Sequence, residues 1–451
     1  MTDYAIRHAW WDHTEKLRRL LYGCFFFFMP FTQALTFNLG FPLKLSEMAL
    51  LLLAPFYLFL KRKITLPRSI VFIIGLFFFM VAASEIINLF YKYPYSLRMY
   101  TTRFGYTGDS LTRFFYFVLA LLAFFVATDM FLTHRRKYIN IWLYGAVLAA
   151  AYTWYMVVFS FLHLPVYLLP GMAHPPQQID AFHRLIIRCG TFLEGNMMGL
   201  YLILSAALGF YNRKYKTGIF LLLTVFTTFS TLSIVSVFIF LILYFHRAIF
   251  RRKYMVFALP ALAFMILALF FFTKTTFYRS YVYNKLFSDA SKAANSQAYS
   301  KADRIFSIRT AYNMGMGNPV WGVGLSNYSR HFDRYQTRGN LDEGLYSSFL
   351  RKNEKVIPNN IYLELWAETG GIALLLFASF LGILLYYARK DPSRALFPAL
   401  VCMMLCFIAN PSFIMIYIWS FMGLPVADYI HHKKQQKPAS PHEDENKPSL
   451  I

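Results

Sequence analysis

Charge is scarce in this chain, and negative charge scarcer still. Only 15% of its 451 residues are charged, with 22 Asp and Glu against 45 Lys and Arg, where typical soluble domains carry roughly 25% charged residues. Hydrophobic residues make up 57%. So small a polar complement excludes a water-soluble fold of this size, whereas lipid can face such a surface because it is as apolar as the side chains it meets. Cysteine is also rare. Cys24, Cys189, Cys402 and Cys406 lie in or beside apolar stretches, which excludes a disulfide framework and suggests no metal site. Cys402 and Cys406, one turn apart on a helix, read as packing residues. The motifs of common soluble enzymes are missing: no GxxxxGK[ST] loop, no HExxH and no GxSxG elbow. No cleavable leader pattern is seen either. The first apolar run starts near Leu20 behind Arg7, Lys16, Arg18 and Arg19, without a small-residue cleavage site, so the first helix is expected to stay as an anchor.

What the chain has is long apolar runs. A spanning helix needs about 20 mostly apolar residues, and twelve candidates run near 20–39, 42–60, 69–90, 113–133, 138–164, 192–211, 217–230, 232–246, 254–273, 359–388, 395–410 and 412–430. The seventh and eighth are short, with a tight hairpin expected at Ser230–Thr231. The basic residues fall in alternate connections: Lys61–Lys63, Arg135–Lys137, Arg213–Lys216, Arg247–Lys253 and Arg389–Arg394. That alternation is the positive-inside pattern. It accounts for the net charge of +23 without nucleic acid and places both termini in the cytoplasm. The expected fold is therefore all-α: a polytopic membrane protein of about 12 transmembrane helices. Residues 1–273 hold helices 1–9, 274–357 form one large periplasmic loop, 358–431 hold helices 10–12, and 432–451 read as a disordered cytoplasmic tail rich in Lys, Gln, Pro and Glu.

The loop is too long to be a mere connector. It is basic, with Arg304, Arg309, Arg330, Arg334 and others, and it holds Trp321 and Tyr328. Such a surface can contact lipid headgroups or receive a phosphorylated substrate. Three polar clusters stand at this face. The first, Arg188-Cys-Gly190-Thr191-Phe192-Leu-Glu194-Gly195-Asn196, precedes the sixth helix. Arg188 there can snorkel to headgroups or grip phosphate bidentately, while Thr191 and Glu194 have capping-box spacing. The second comprises Arg304 and Arg309 on a helix, then a turn, Asn318-Pro319-Val-Trp321-Gly322-Val-Gly324. The third, Pro358-Asn359-Asn360-Ile-Tyr362-Leu-Glu364-Leu-Trp366-Ala-Glu368-Thr-Gly370-Gly371, opens the tenth helix. Asn360, Glu364 and Glu368 share one helix face. Asn359 or Asn360 can be an N-cap, Glu364 suits the helix dipole, and Glu368, two turns in, points to function, as ionisable groups at membrane depth do.

In order and approximate spacing the three clusters resemble the O-antigen ligase and O-antigen polymerase superfamily. Arg188, Gly190, Phe192 and Asn196 are similar to its Arg-x-x-Gly-type motif. Arg304 followed by Pro319, Gly322 and Gly324 resembles its loop Arg and Pro-x-x-Gly-x-Gly. Asn360, Tyr362, Glu368 and Gly370 resemble the motif that begins His-Asn and ends Glu-x-Gly. The resemblance covers 188–371. It implies metal-independent glycosyl transfer on the periplasmic face, with no cofactor, from a glycan carried on undecaprenyl pyrophosphate. The acceptor is lipid A-core in ligases and another lipid-linked repeat unit in polymerases. Membrane lipids and a chain-length regulator protein are the further partners it suggests. Arg188 and Arg304, supported by Arg309, would hold the pyrophosphate as charge develops on it, and Asn196 and Tyr362 would line the substrate site. The ligase His position is Asn359 here, and an amide is no general base near neutral pH. The hairpin Thr231-Leu-Ser233-Ile234 also lacks the Arg many members carry after the Ser. Polymerase activity is therefore expected over ligase activity, and a lipid-linked sugar transporter is a remoter alternative. Glu368 and Asn360, with Asn359, are the expected catalytic positions; Glu364 and His331 are other candidate bases, His331 being read as a surface residue.

Overall fold

The computed structural model describes residues 2–38, 41–59, 66–90, 105–181, 184–249, 296–339 and 356–435, with isolated positions between 267 and 347. The expected ninth span, 254–273, lies almost wholly outside the described residues, as do the loop segment 284–295, the basic run Arg351–Lys355 and the tail beyond Gln435.

The chain is mostly helical, as its apolar runs predict. α1 (Thr2–Phe27) leads into a hairpin of β1 (Thr36–Asn38) and β2 (Pro42–Lys44), antiparallel with Thr36 opposite Lys44. α2 (Leu45–Phe59) and α3 (Arg68–Phe90) follow. α4 (Gly105–Phe161) is two helices in one: His134 leaves helical geometry (φ −138°, ψ 46°) at the basic connection between the fourth and fifth expected spans. At 1.5 Å per residue its 57 residues would otherwise extend roughly 85 Å, about twice a bilayer. A second hairpin, β3 (Gln178–Ala181) with β4 (Arg184–Ile187), precedes α5 (Gly195–Tyr211). α6 (Tyr215–Phe226) and α7 (Thr231–Ile249) are separated by the tight turn expected at Ser230–Thr231. α8 (Ser296–Gly317) and α9 (Tyr328–Tyr335) belong to the long loop. α10 (Ile361–Thr369) and α11 (Gly371–Ala388) divide the expected tenth span at Gly370. α12 (Leu396–Cys406), a 3₁₀ turn (Phe407–Ala409) and α13 (Ile416–Gln435) end the described chain, α13 running past the expected boundary at 431.

Among the described residues three helices are long and apolar enough to cross a membrane: Arg68–Leu89, Thr107–Phe161 and Gly371–Ala388. Shorter apolar helices occupy Leu45–Tyr57, Gly195–Tyr211, Tyr215–Phe226, Thr231–Arg247 and Leu396–Ala409. Most of the expected runs are helical but cut shorter by turns and glycines: the first, expected over 20–39, ends at Phe27 and gives way to β1, and the second begins at Leu45 after β2, so the count of twelve is met only in part. The two short hairpins also depart from an all-helical expectation. They sit where the chain re-enters a helix.

This is a membrane protein with an aromatic interior and an apolar outside. α13 packs along α4 and α11, and Trp419 on α13 meets Phe77, Phe117, Phe377 and Phe380 from three other helices, with ring centroids 6.0–6.3 Å apart. Trp142 stacks on Tyr201 at 5.8 Å and donates to Ser205 Oγ at 2.8 Å. Phe72 on α3 and Leu375 on α11 are each 69% exposed. Large apolar side chains standing outward on apolar helices are what lipid, and not water, accommodates. The four cysteines are free; Cys402 Sγ donates to the Ser236 carbonyl at 3.1 Å and Cys406 Sγ lies 3.4 Å from Ser236 Oγ, so both pack α12 against α7.

Candidate functional site

The second and third sequence clusters are joined backbone to backbone. Gly322 (φ +64°), Gly324 (φ +87°) and Gly370 (φ +87°) all adopt left-handed geometry that favours glycine. The Val323 N–H donates to the Ala367 carbonyl at 2.9 Å, Gly324 N–H to Glu368 O at 2.8 Å, and Gly371 N–H to Pro319 O at 2.7 Å. A Cβ on Gly322 would collide with the Glu368 backbone, and one on Gly370 with the Val320 carbonyl. The glycines therefore let a loop turn replace the missing helical bonds where α10 breaks from α11.

α3 clamps the same turn from the other side. Ser84 Oγ reaches the Trp321 carbonyl at 2.5 Å and the Glu368 carbonyl at 3.1 Å. Asn88 Nδ2 donates to Ser84 O at 2.8 Å and Gly322 O at 3.4 Å. Glu85, only 3% exposed, accepts from the Leu325 N–H at 3.1 Å and from Ser110 Oγ. Glu368, 4% exposed, accepts from the Tyr328 N–H at 3.3 Å through Oε1, at the start of α9. Its Oε2 is buried with no hydrogen-bond partner among the described residues.

One turn earlier, Glu364 accepts from Arg113 Nη2 at 2.5 Å and from the Ser412 N–H at 2.9 Å. Glu364 is buried; Arg113 keeps 26% of its side chain exposed. The β1–β2 hairpin covers Tyr116, one turn from Arg113: Tyr116 Oη donates to Pro42 O, and Lys44 Nζ lies 5.8 Å from the Tyr116 ring while pairing with Glu47 at 2.6 Å.

The first cluster reaches this region through the α12–α13 connection. Asn196 Nδ2 donates to Ala409 O at 2.7 Å, three residues before Ser412. Three residues of chain span at most about 11 Å, so Asn196 and Glu364 are held at neighbouring points of one short segment. Arg188 is half-buried, and its Nη1 reaches the Phe229 carbonyl of the α6–α7 turn at 3.4 Å. Arg304 and Arg309 lie on α8, which packs against α10; Arg309 stands against Gly339. Tyr362 Oη donates to Met404 O at 2.8 Å.

Several details differ from the sequence reading. Asn360 is the N-cap: its Oδ1 accepts from the Leu363 N–H at 3.1 Å. Asn359, its half-exposed neighbour, does not cap the helix. Thr191 and Glu194 form no capping box. Thr191 Oγ1 donates to Pro30 O at 2.6 Å, α5 begins only at Gly195, and Gln177 Oε1 takes the Gly195 N–H at 2.7 Å. A distant side chain has supplied the cap. His331 is 7% exposed, not a surface residue, and burial followed by the charges of Arg330 and Arg334 pushes its pKa down to about 4. Arg113, Ser84, Glu85, Asn88 and Ser110 were not singled out from sequence. Glu85 had a signal, an acid deep in an apolar run, of the same kind that marked Glu368. Arg113 had none beyond its place at the mouth of one.

A multi-helix membrane protein with buried carboxylates, an arginine and a docked basic loop at one end is the class that this fold and site define. Residues 217–378, about a third of the chain, match the family model described as O-Antigen ligase, so that stretch is similar to O-antigen ligases. It takes in the second and third clusters and leaves the first, at 188–196, just outside. No curated protein matches the chain.

Proposed function

We infer that the chain joins lipid-linked sugar repeat units by glycosyl transfer on the periplasmic face of the inner membrane, acting as a polysaccharide polymerase. The donor is a growing glycan on undecaprenyl pyrophosphate, and a hydroxyl at the non-reducing end of another lipid-linked unit attacks its anomeric carbon. One observation carries the reading: the turn Pro319–Gly324 is bonded to Ala367–Gly371, at the C-terminal end of the helix bearing Glu364 and Glu368, and α8, which carries Arg304 and Arg309, packs against that same helix. Arginines fixed in advance stabilise charge developing on a leaving pyrophosphate without reorganising during the reaction. Arg188 and Arg304 would hold the diphosphate with Arg309 in support, and Arg113 is a further cation that the site offers. Glu368, with one carboxylate oxygen uncommitted, is the better candidate to take the acceptor proton. Asn360 is occupied as a cap, which supports a role in setting the helix more than one in proton transfer. Asn196 and Tyr362 would line the substrate site. Catalysis would be metal-independent, and both chain termini would lie in the cytoplasm.

The ligase reading has one observation in its favour, the description of the matching family. Against it stands Asn359 where ligases resembling this chain place a His. The two readings are separated by giving purified protein a lipid-linked repeat unit with and without lipid A-core. Lengthened lipid-linked chains support polymerisation; glycan found only on lipid A-core makes the chain a ligase.

A further inference from the structure

At the end of α7 and α12 remote from Glu364 there is a cavity of about 260 Å³, lined by Tyr244, Phe245 and Arg247 of α7 and by Pro392, Ser393 and Arg394 of the α11–α12 turn. Ser412, beside Glu364, follows the far end of α12, whereas Arg394 immediately precedes its near end. The cavity is thus separate from the glycan site by the whole length of that helix.

The turn is built with its acid inward and its cation outward. Asp391, 4% exposed, accepts from the Ser393 N–H at 2.7 Å, Ser393 Oγ at 2.6 Å, the Ala395 N–H at 3.0 Å and the Leu396 N–H at 3.1 Å. It thereby takes two backbone N–H groups at the start of α12. Arg394 adopts φ +59°, unusual for a residue with a side chain, and stands exposed. Arg247, in the last turn of α7, is exposed as well. Among the described residues neither guanidinium has an ion pair or side-chain hydrogen bond. Two cations thus line the recess, while the acid of this turn, Asp391, is buried and engaged by four donors.

An apolar track leads to it. Val235, Phe238, Ile242 and Phe245 are 45%, 47%, 58% and 44% exposed, and their 3-4-3 spacing puts them on one face of α7. This outward stripe, roughly 15 Å long at 1.5 Å per residue, ends at Phe245, which itself lines the cavity. A stripe that suits hydrocarbon, ending in a cationic recess with a tyrosine hydroxyl and a serine, matches a molecule with acyl chains and one anionic phosphate.

We propose that this recess binds the headgroup of an anionic phospholipid, with the phosphate between Arg247 and Arg394 and an acyl chain along Val235–Phe245. Guanidinium forks suit phosphate oxygens, and basic recesses between membrane helices are the expected places for such headgroups.

The test uses the full-length protein in a neutral detergent, its thermal unfolding followed with phosphatidylglycerol, phosphatidylcholine or inorganic phosphate added. Phosphatidylglycerol should raise Tm by several degrees and the other two should not; R247Q/R394Q should lose that increment, while R389Q, outside the cavity lining, keeps it. An equal shift in the double variant, or with phosphatidylcholine, overturns the proposal. A full shift from inorganic phosphate overturns the lipid assignment in favour of a soluble anion. Should the double variant not fold, native mass spectrometry of R247Q and R394Q decides: each should retain at least fivefold less phosphatidylglycerol than wild type, and unchanged retention contradicts the site.

Discussion

Arg113 and Glu364, 251 positions apart in sequence, meet at 2.5 Å at the head of α10. The pair ties the start of α4 to α10, and through the Ser412 N–H to the α12–α13 connection. Because Glu364 is buried, removing its cation strands a charge away from water.

Arg113→Met should therefore lower stability by about 3 kcal/mol, the scale for breaking a buried pair from one side. Arg113→Met combined with Glu364→Gln should cost at least about 1 kcal/mol less than the two single changes summed. Unfolding of the four proteins in detergent, read as a double-mutant cycle, checks this; additive costs would mean that the pair is not coupled.

Gly322→Ala and Gly370→Ala test the loop docking. Each puts a side chain into left-handed backbone, at about 1–2 kcal/mol, and each Cβ meets main chain from the partner segment. The expected result is faster proteolytic cleavage between α8 and α9 with lost transfer activity. Gly382→Ala, in open space on α11, should change neither.

Much of this was legible in the sequence. Apolar runs gave the helices, the basic connection gave the break at His134, and Asn360, Glu364 and Glu368 fell on one face because helical spacing requires it. What the glycine motif does was not legible: Gly322 and Gly324 read as part of a turn, but that Gly322 and Gly370 approach each other's segments is a tertiary fact. The same holds for Gln177, which caps α5 in place of the local Thr191, and for Arg113, whose partner lies far along the chain. Sequence periodicity reports faces and depths; it does not report which distant backbone will satisfy a helix end.

His331 provides a pH test. Its folded pKa is depressed to about 4, so below the unfolded value near 6.5 the unfolded chain binds a proton that the folded chain refuses. The stability His331 contributes is present above about pH 6.5 and falls as pH drops toward 4. His331→Asn should flatten the stability profile in that window and leave the transfer rate between pH 7 and 8 within about twofold, since a neutral, low-pKa imidazole is a poor base there. A larger rate loss with Tm preserved would make His331 part of the reaction.

At the opposite end, Asp428 on α13, 3% exposed, receives Arg135 Nη1 at 2.7 Å and Tyr211 Oη at 2.9 Å, with His432 Nε2 at 3.6 Å. Arg135 thus fastens the second half of α4 to α13 besides contributing to the basic connection. Asp428→Asn should destabilise by roughly 3 kcal/mol without altering product length; Asp428→Glu should recover part of the loss.

The most direct measurement is chain extension by the purified protein given a labelled undecaprenyl-pyrophosphate-linked repeat unit, comparing wild type with Arg304→Ala and Glu368→Gln at matched Tm. Wild type should give lengthened lipid-linked products, and each variant should extend them at least a hundredfold more slowly, about 2.7 kcal/mol in the barrier. Undiminished extension by folded Arg304→Ala or Glu368→Gln would contradict the proposed mechanism.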